Sequence, residues 1–378
     1  MLIKKSFNNI RRASTHFLAI ATMALGLGVA PMAQAADYRL ETVVDGLDMP
    51  WGLAFLPNGD MLVTELTGAL RVIRNGKLVA EPVANVPEST YGGQGGLMDV
   101  VLHPQFESNQ LVYLSLSVGT AQASALRVIR GRFTGDALEN VSSVFEVAPK
   151  KPGLVHYGAR MTFLPDNSLL ITSGDGFDLR EQAQNKANHF GAVLRVTDSG
   201  KVPADNPFAD DDNAQPEIYT IGHRNPQSIA YDAVDGKIYA TEHGPRGGDE
   251  LNLIEAGNNY GWPIATHGID YSGARISPYT SYPGTEQPLK YWTPSIGPSG
   301  MTVYRGSQFA EWQGDIFITA LIDQHIVRID MQNGRVVGTQ TLFAEIDDRP
   351  RDIRSGPDGA LYILSEGDNG KLWRVSKQ

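Results

Sequence analysis

The sequence predicts an all-β fold, a six-bladed β-propeller with four-stranded antiparallel blades. Three observations carry the prediction. The chain holds 40 Gly and 22 Pro in 378 residues, and short apolar runs lie between these turn formers in place of long amphipathic helices. One unit of strand, Pro/Asn/Asp-Gly turn, strand, loop and strand recurs six times. Its D-G and N-G turns suit tight hairpins. A β meander repeated at this scale marks a propeller, whose sheets stand around a central channel.

The copies follow in order. The first is W-G-L-A-F-L-P-N-G-D-M-L-V-T-E from Trp51, with G-A-L-R-V-I behind it. The second is L-M-D-V-V-L-H-P from Leu97, with L-V-Y-L-S-L and A-L-R-V-I-R. The third is A-R-M-T-F-L-P-D-N-S-L-L-I-T-S-G-D from Ala159, with A-V-L-R-V. The fourth is P-Q-S-I-A-Y-D-A-V-D-G-K-I-Y-A-T-E from Pro226, with D-E-L-N-L-I. The fifth is P-S-G-M-T-V-Y from Pro298, with D-I-F-I-T-A and H-I-V-R-I. The sixth is R-D-I-R-S-G-P-D-G-A-L-Y-I-L-S-E from Arg351, with K-L-W-R-V. A period of roughly 57 residues exceeds the 40–45 typical of such repeats, so some loops are long. The longest insertions are Phe177–Pro216 and Asn258–Tyr291. The sixth copy shows three strands, and Tyr38–Val44 is expected to supply its fourth and close the ring. A β sandwich or a pair of β domains is the competing architecture.

Residues 1–35 read as a cleaved signal peptide, leaving 36–378 as a single propeller domain. Lys4, Lys5, Arg11 and Arg12 form a positive start, Phe17 to Met32 is apolar, and Ala33-Gln34-Ala35 fits a signal peptidase site. The residues around Arg11-Arg12 fit twin-arginine export poorly, so Sec export to the periplasm is expected. Removal of these four basic residues moves the net charge from −10 to −14. Such a surface disfavours nucleic acid and anionic lipid and suits Ca²⁺-binding carboxylates. No later segment reaches transmembrane length, so no membrane insertion is expected. The chain has no Cys. That excludes disulfides, thiolate metal sites and cysteine nucleophiles, and the chain is long enough to be held by its own core.

Polar or aromatic groups precede five of the repeats at nearly the same point. Gln94 lies in Y-G-G-Q-G-G, His156 in V-H-Y-G-A-R, and Arg224 and Asn225 in G-H-R-N-P-Q. Trp292 precedes the fifth copy, and Arg349 and Arg351 introduce the sixth. Singly, each has a plain structural reading: a bonded histidine, a blade-bridging arginine, a turn cap, a packed indole. Their shared register points to a channel site. Arginines and hydrogen-bond donors facing one channel suit a planar polyanion, and a neutral histidine can take a proton from a hydroxyl. Gly244 and Pro245 carbonyls beside Asp249 and Glu250 suit an oxygen-ligated cation.

These motifs, with E-H-G-P at 242–245, D-E-L-N-L-I at 249–254, N-Y-G-W-P at 259–263, P-S-G-M at 298–301 and R-P-R-D-I-R-S-G-P-D-G at 349–359, make the chain resemble the soluble PQQ-dependent aldose sugar dehydrogenases, relatives of soluble quinoprotein glucose dehydrogenase. The resemblance implies PQQ and Ca²⁺ as cofactors, an aldose substrate and an electron acceptor of unspecified kind, in a monomer or homodimer. It implies His156 as the base on the anomeric hydroxyl, and Arg224 and Asn225 at the reactive carbonyl of PQQ. Gln94 then meets cofactor and sugar, Arg349 and Arg351 the PQQ carboxylates, and Tyr271 the cofactor. Asp175 is placed on the sugar side, and Trp292, from its shared register, is expected there as well. Gly244 and Pro245 are implied as carbonyl ligands of the catalytic Ca²⁺, and Glu250 and Tyr260 as ligands of a second, structural one.

Two positions depart from the pattern. Val155 stands where the glucose dehydrogenase branch has an Asp before the base, which makes Asp175 a candidate to orient His156. Ile322 stands where many members have a Lys that reaches PQQ. Two rival readings are a Ca²⁺-dependent propeller hydrolase such as a lactonase, and a non-catalytic propeller that binds carbohydrate or protein.

Overall fold

The computed structural model describes residues 38–378; the expected signal peptide lies outside them. The described chain forms six antiparallel sheets of four strands each. Blade 1 is Pro50–Phe55, Met61–Glu65, Leu70–Arg74 and Lys77–Leu78. Blade 2 is Leu97–Leu102, Leu111–Thr120, Ala123–Phe133 and Leu138–Glu146. Blade 3 is Met161–Phe163, Leu169–Ser173, Ala192–Val196 and Ile218–Ile221. Blade 4 is Pro226–Asp232, Lys237–Glu242, Asp249–Ile254 and Lys290–Trp292. Blade 5 is Pro298–Val303, Ile316–Ala320, His325–Gln332 and Arg335–Leu342. Blade 6 is Arg349–Ser355, Leu361–Glu366 and Gly370–Lys377.

The fourth strand of blade 6 is Tyr38–Leu47, paired antiparallel to Gly370–Lys377 from Tyr38 opposite Lys377 to Leu47 opposite Gly370. The ring therefore closes as the sequence suggests, and the first strands of neighbouring blades touch all the way round. Among the described residues the only α-helix is Phe106–Asn109, and no helix is long and apolar enough to cross a membrane.

Burial follows position in the blade. Second strands such as Met61–Glu65, Leu169–Ser173 and Ile316–Ala320 are buried at every residue, because they lie inside their blades with sheet packed on both faces. The outermost strand of blade 5, Arg335–Leu342, alternates instead, as one covered face requires.

Buried ions and hydroxyls hold the centre. Arg160 is almost wholly enclosed. It lies 3.2 Å from Asp99 and 3.3 Å from Asp352 and over the Trp51 ring. Arg354 reaches the same two carboxylates, at 3.2 and 3.0 Å. Two cations and two anions from blades 2, 3 and 6 thus balance at the axis, which is what makes their burial tolerable.

Four of the six blades are also fastened to the next by a hydroxyl. Thr64, Ser115, Thr172 and Thr319 are buried on second strands. Their hydroxyls accept first-strand amides of their own blade: Gly52 at 2.9 Å, Asp99 at 2.9 Å, Arg160 at 3.0 Å and Gly300 at 2.7 Å. The same hydroxyls donate to carbonyls entering the following blade: Met98, Ala159 at 2.8 Å, Pro226 at 3.0 Å and Arg351 at 3.3 Å.

Candidate active site

In a four-stranded antiparallel blade, the loop entering the first strand and the loop joining the second to the third emerge at the same end. Residues from four blades thereby converge. Gln94 comes before blade 2, His156 before blade 3, Arg224 and Asn225 before blade 4, and Arg349 and Arg351 open blade 6. The 242–249 loop of blade 4 joins them. Gln94, Gly244, Pro245, Tyr271, Ile322 and Arg349 are among the residues lining one open cavity of ≈ 980 Å³, a size that suits a sizeable ligand.

His156 is buried, with a φ of +55°. Gly174 lets the end of the second strand come close to it, since a Cβ there would lie 2.3 Å from the His156 carbonyl. Asp175 follows, and its Oδ1 meets His156 Nδ1 at 2.7 Å. The Asp175 carboxylate also accepts the Phe177 amide at 2.7 Å and the Trp262 indole N–H at 2.8 Å. A carboxylate at Nδ1 places the imidazole proton there and leaves the Nε2 lone pair free. Burial lowers the pKa of His156; the hydrogen bond and charge of Asp175 oppose this, and Arg224 and Lys151 reinforce it. The imidazole is neutral at neutral pH, as a base must be.

The backbone that carries His156 is fixed from two sides. Gln94 Oε1 accepts the His156 amide at 2.7 Å. Lys151 Nζ donates to the Val155 carbonyl at 2.6 Å, and burial pushes this lysine down to about 8 against the pull of Asp175. Val155 thus takes part through its carbonyl, and the carboxylate that orients the imidazole comes from Asp175.

Arg224 donates to the carbonyls of His243 at 3.0 Å and Gly244 at 2.6 Å, and to the Tyr271 hydroxyl at 3.4 Å. Asn225 Oδ1 accepts the Gly158 amide at 3.1 Å. Arg351 donates to Ser299 Oγ at 3.1 Å and to Glu366 at 2.8 Å. Arg349 shares Glu366 at 3.2 Å, with 47% of its side chain exposed. Among the described residues, the buried Asn225 Nδ2 and Arg351 Nε have no partner. Unpaired buried donors are rare enough to need a reason, and Arg246 and Arg349 on the cavity wall, with Arg224 bonded to the wall residue Gly244, fit an anionic group such as PQQ. His243 adds no charge: its Nε2–H donates to the Pro298 carbonyl at 2.7 Å, and burial, then Arg224, push it down to about 3.

The oxygen donors expected for metals separate into two groups. A Cβ at Gly244 would fall 2.3 Å from the Gly247 carbonyl, so only glycine permits this tight loop. Gly244 and Pro245 line the cavity; the Gly244 carbonyl already accepts Arg224 at 2.6 Å, so its second lone pair, with the Pro245 carbonyl, is what remains as a hard oxygen to fit Ca²⁺. Asp249 is not part of that set. Its carboxylate accepts the amides of Gly244, Ile296 and Gly297 at 2.8, 2.7 and 2.9 Å and the Ser295 hydroxyl at 2.6 Å, so it shapes the loop.

Glu250 faces a smaller enclosed space shared with Glu242 and Tyr260. Burial and the neighbouring Glu242 push Glu250 up to about 8, and Asn252 Oδ1 nearby is buried without a partner. A cation there would relieve both. The Tyr260 hydroxyl is engaged, donating to the Leu253 carbonyl at 2.6 Å and accepting the Glu255 amide at 2.9 Å.

Trp292 stands apart from the others. It lies on the outermost strand of blade 4, opposite Asp249, and packs against a core cluster that includes Leu251 and Met301. Its neighbours Thr293 and Ser295 line the cavity instead. The structure adds three residues that sequence reasoning passed over: Lys151 behind the base, Trp262 on Asp175, and Phe177 at the mouth. Trp262 lies inside N-Y-G-W-P and Phe177 directly follows S-G-D-G, so position beside a motif was their only signal.

Known proteins share this sequence and fold over most of the chain. The family model described as Glucose / Sorbosone dehydrogenase matches residues 47–374. Aldose sugar dehydrogenase YliI of Escherichia coli (strain K12) is 38% identical over 373 residues, covering 97% of this chain and 99% of its own. A crystal structure of a glucose dehydrogenase superimposes with a TM-score of 0.87 at 40% identity, over 90% of this chain and 100% of that one. The PQQ-bound aldose sugar dehydrogenase of Streptomyces coelicolor superimposes with a TM-score of 0.73 at 26% identity, over 90% and 99% of the two chains.

Proposed function

The chain belongs to the Glucose / Sorbosone dehydrogenase family, and we propose that it is a PQQ- and Ca²⁺-dependent periplasmic oxidoreductase that converts aldoses at C1 to lactones. Residues 1–35 are its export signal, and 36–378 its single mature domain. The observation that carries the reading is the 2.7 Å pair of His156 and Asp175 beside an arginine-lined cavity.

When bound, PQQ supplies a two-electron acceptor and Ca²⁺ a Lewis acid. Arg349 and Arg351 would hold the carboxylates of PQQ, Gly244 and Pro245 its Ca²⁺, and Glu250 with Tyr260 a structural Ca²⁺. The residues of the chain do the rest. Gln94 and Asp175 hold His156 in place. His156 Nε2 takes the proton of the C1 hydroxyl as the C1 hydrogen departs with its electron pair, and C1 becomes the lactone carbonyl. Asp175 stabilises the imidazolium that results. Arg224 and Asn225 offer donors where negative charge develops. Tyr271 lines the cofactor side of the cavity. Trp292 supports the wall from behind and leaves sugar contact to others. At Ile322, 59% exposed on the cavity wall, an apolar surface replaces a cationic contact.

A hydrolase with one central Ca²⁺ needs carboxylates converging on it. Among the described residues no three His, Cys, Asp or Glu side chains are grouped to hold a metal, which favours the dehydrogenase. The test is to add PQQ and Ca²⁺ to purified apoprotein and follow reduction of an artificial dye with several aldoses. Absence of both cofactor binding and dye reduction refutes the reading. His156→Gln is expected to lose turnover with PQQ still bound.

A further inference from the structure

Phe177 stands in a backbone conformation that its side chain disfavours. Gly176 has φ +77° and Phe177 φ +74°, so both central residues of the Asp175–Asp178 turn are left-handed. A positive φ at a bulky residue is a true outlier. The Phe177 amide bonds Asp175 Oδ1 at 2.7 Å, and the Asp178 amide bonds the Gly176 carbonyl at 3.0 Å, which closes a γ-turn centred on Phe177 in its rare, strained form. No core rewards the strain, because Phe177 is 43% exposed.

What the strain does achieve is placement. The Phe177 ring meets the His156 ring edge-on at 5.1 Å and 79°. It also lies 6.1 Å from the Tyr271 ring at an interplanar angle of 20°. Tyr271 is 58% exposed, and its hydroxyl is held by Arg224. Two aromatic rings from different insertions thus meet, Phe177 against His156 and Tyr271 on the cavity wall and bonded to Arg224. A strained residue that persists without packing gain points to function.

We propose that Phe177 is a specificity-determining residue, whose ring receives the apolar C–H face of the aldose and sets C1 against His156. This rests on the dehydrogenase reading, and the test separates the two. Phe177→Gly removes the ring and relieves the backbone, so it should leave the melting temperature equal or raised. In protein loaded with PQQ and Ca²⁺, KM for glucose should rise at least about fivefold, the order expected for one lost aromatic contact, with kcat within about threefold. Phe177→Tyr should restore KM.

Glucose binding is followed in parallel by saturation-transfer NMR on the same proteins. Wild type that binds glucose, with binding lost in Phe177→Gly, supports the proposal even if no dye is reduced; in that case only the dehydrogenase reading fails. A KM within twofold of wild type overturns the Phe177 assignment alone. A lowered melting temperature with kcat and KM both impaired assigns Phe177 a structural role and also overturns it. Wild type that neither binds glucose nor reduces dye overturns both.

Discussion

Replacing Asp175 by Asn tests the geometry of the base most directly. The carboxylate accepts three donors: His156 Nδ1–H, the Phe177 amide and Trp262 Nε1–H. An amide cannot accept all three. In one orientation its NH₂ meets Trp262 Nε1–H, and His156 keeps its tautomer but loses the negative charge that stabilises its protonated form. Loss of a charge-assisted bond of about 1.5–3 kcal/mol, at about 1.4 kcal/mol per decade, lowers kcat by roughly ten- to 150-fold. In the other orientation the NH₂ faces His156 Nδ1 and drives the proton to Nε2, which removes the base. The analogous change in a Ser-His-Asp triad costs about 10⁴. The expected loss in kcat therefore lies between about 10 and 10⁴, measured by dye reduction, with PQQ affinity measured separately by calorimetry. Asp175 raises the pKa of His156, so its removal should move the acid limb of kcat/KM to lower pH. A kcat within threefold of wild type in PQQ-loaded protein refutes the assignment.

Three further outcomes follow from the fold and the metal sites. Arg160→Met leaves the buried Asp99 and Asp352 with Arg354 alone and should cost about 3–5 kcal/mol in denaturant unfolding; a loss below about 1 kcal/mol contradicts the axial network. Thr172→Val strands the buried Arg160 amide and should cost about 1–3 kcal/mol, read in the same way, and a neutral result removes the hydroxyl fastening from the account. Glu250 has a folded pKa raised from 4.5 to about 8, so its contribution to apoprotein stability is present below 4.5 and lost as pH rises toward 8. Ca²⁺ at a hundredfold excess over its Kd adds about 2.7 kcal/mol, and the gain in melting temperature should be larger near pH 8 than near pH 5. Equal melting temperatures with Ca²⁺ and with chelator near pH 8 count against a metal at Glu250.

The architecture was open to sequence reading because strand, tight turn and strand are local, and six copies repeat the same local signals. Even the closing strand could be placed, since the sixth copy lacked one partner and only Tyr38–Val44 remained. The register of Gln94, His156, Arg224 and Arg349 was likewise visible, as all four sit at blade entries. Trp292 shared that register in sequence but not in space. The long insertion before it makes it the end of the preceding blade's outer strand, and an indole there finds core to cover. Arg160 and Arg354 looked like ordinary strand residues because pairing across the axis depends on closure, which no local pattern encodes. The hydroxyls were in view in L-V-T-E, L-S-L, I-T-S and I-T-A, in four of the six copies, yet their partners lie in the following blade. Phe177 was hidden for another reason: its backbone angle contradicts the preference of its own side chain.

The pairing of Tyr38–Leu47 with the last strand has a consequence for the site. The cavity draws on blades 2, 4, 5 and 6, and blade 6 takes its fourth strand from the far end of the described chain. Loss of Tyr38–Leu47 would leave that sheet with three strands and an unpaired edge along Gly370–Lys377. Affinity for a ligand in this cavity is thus tied to a strand remote from it in sequence.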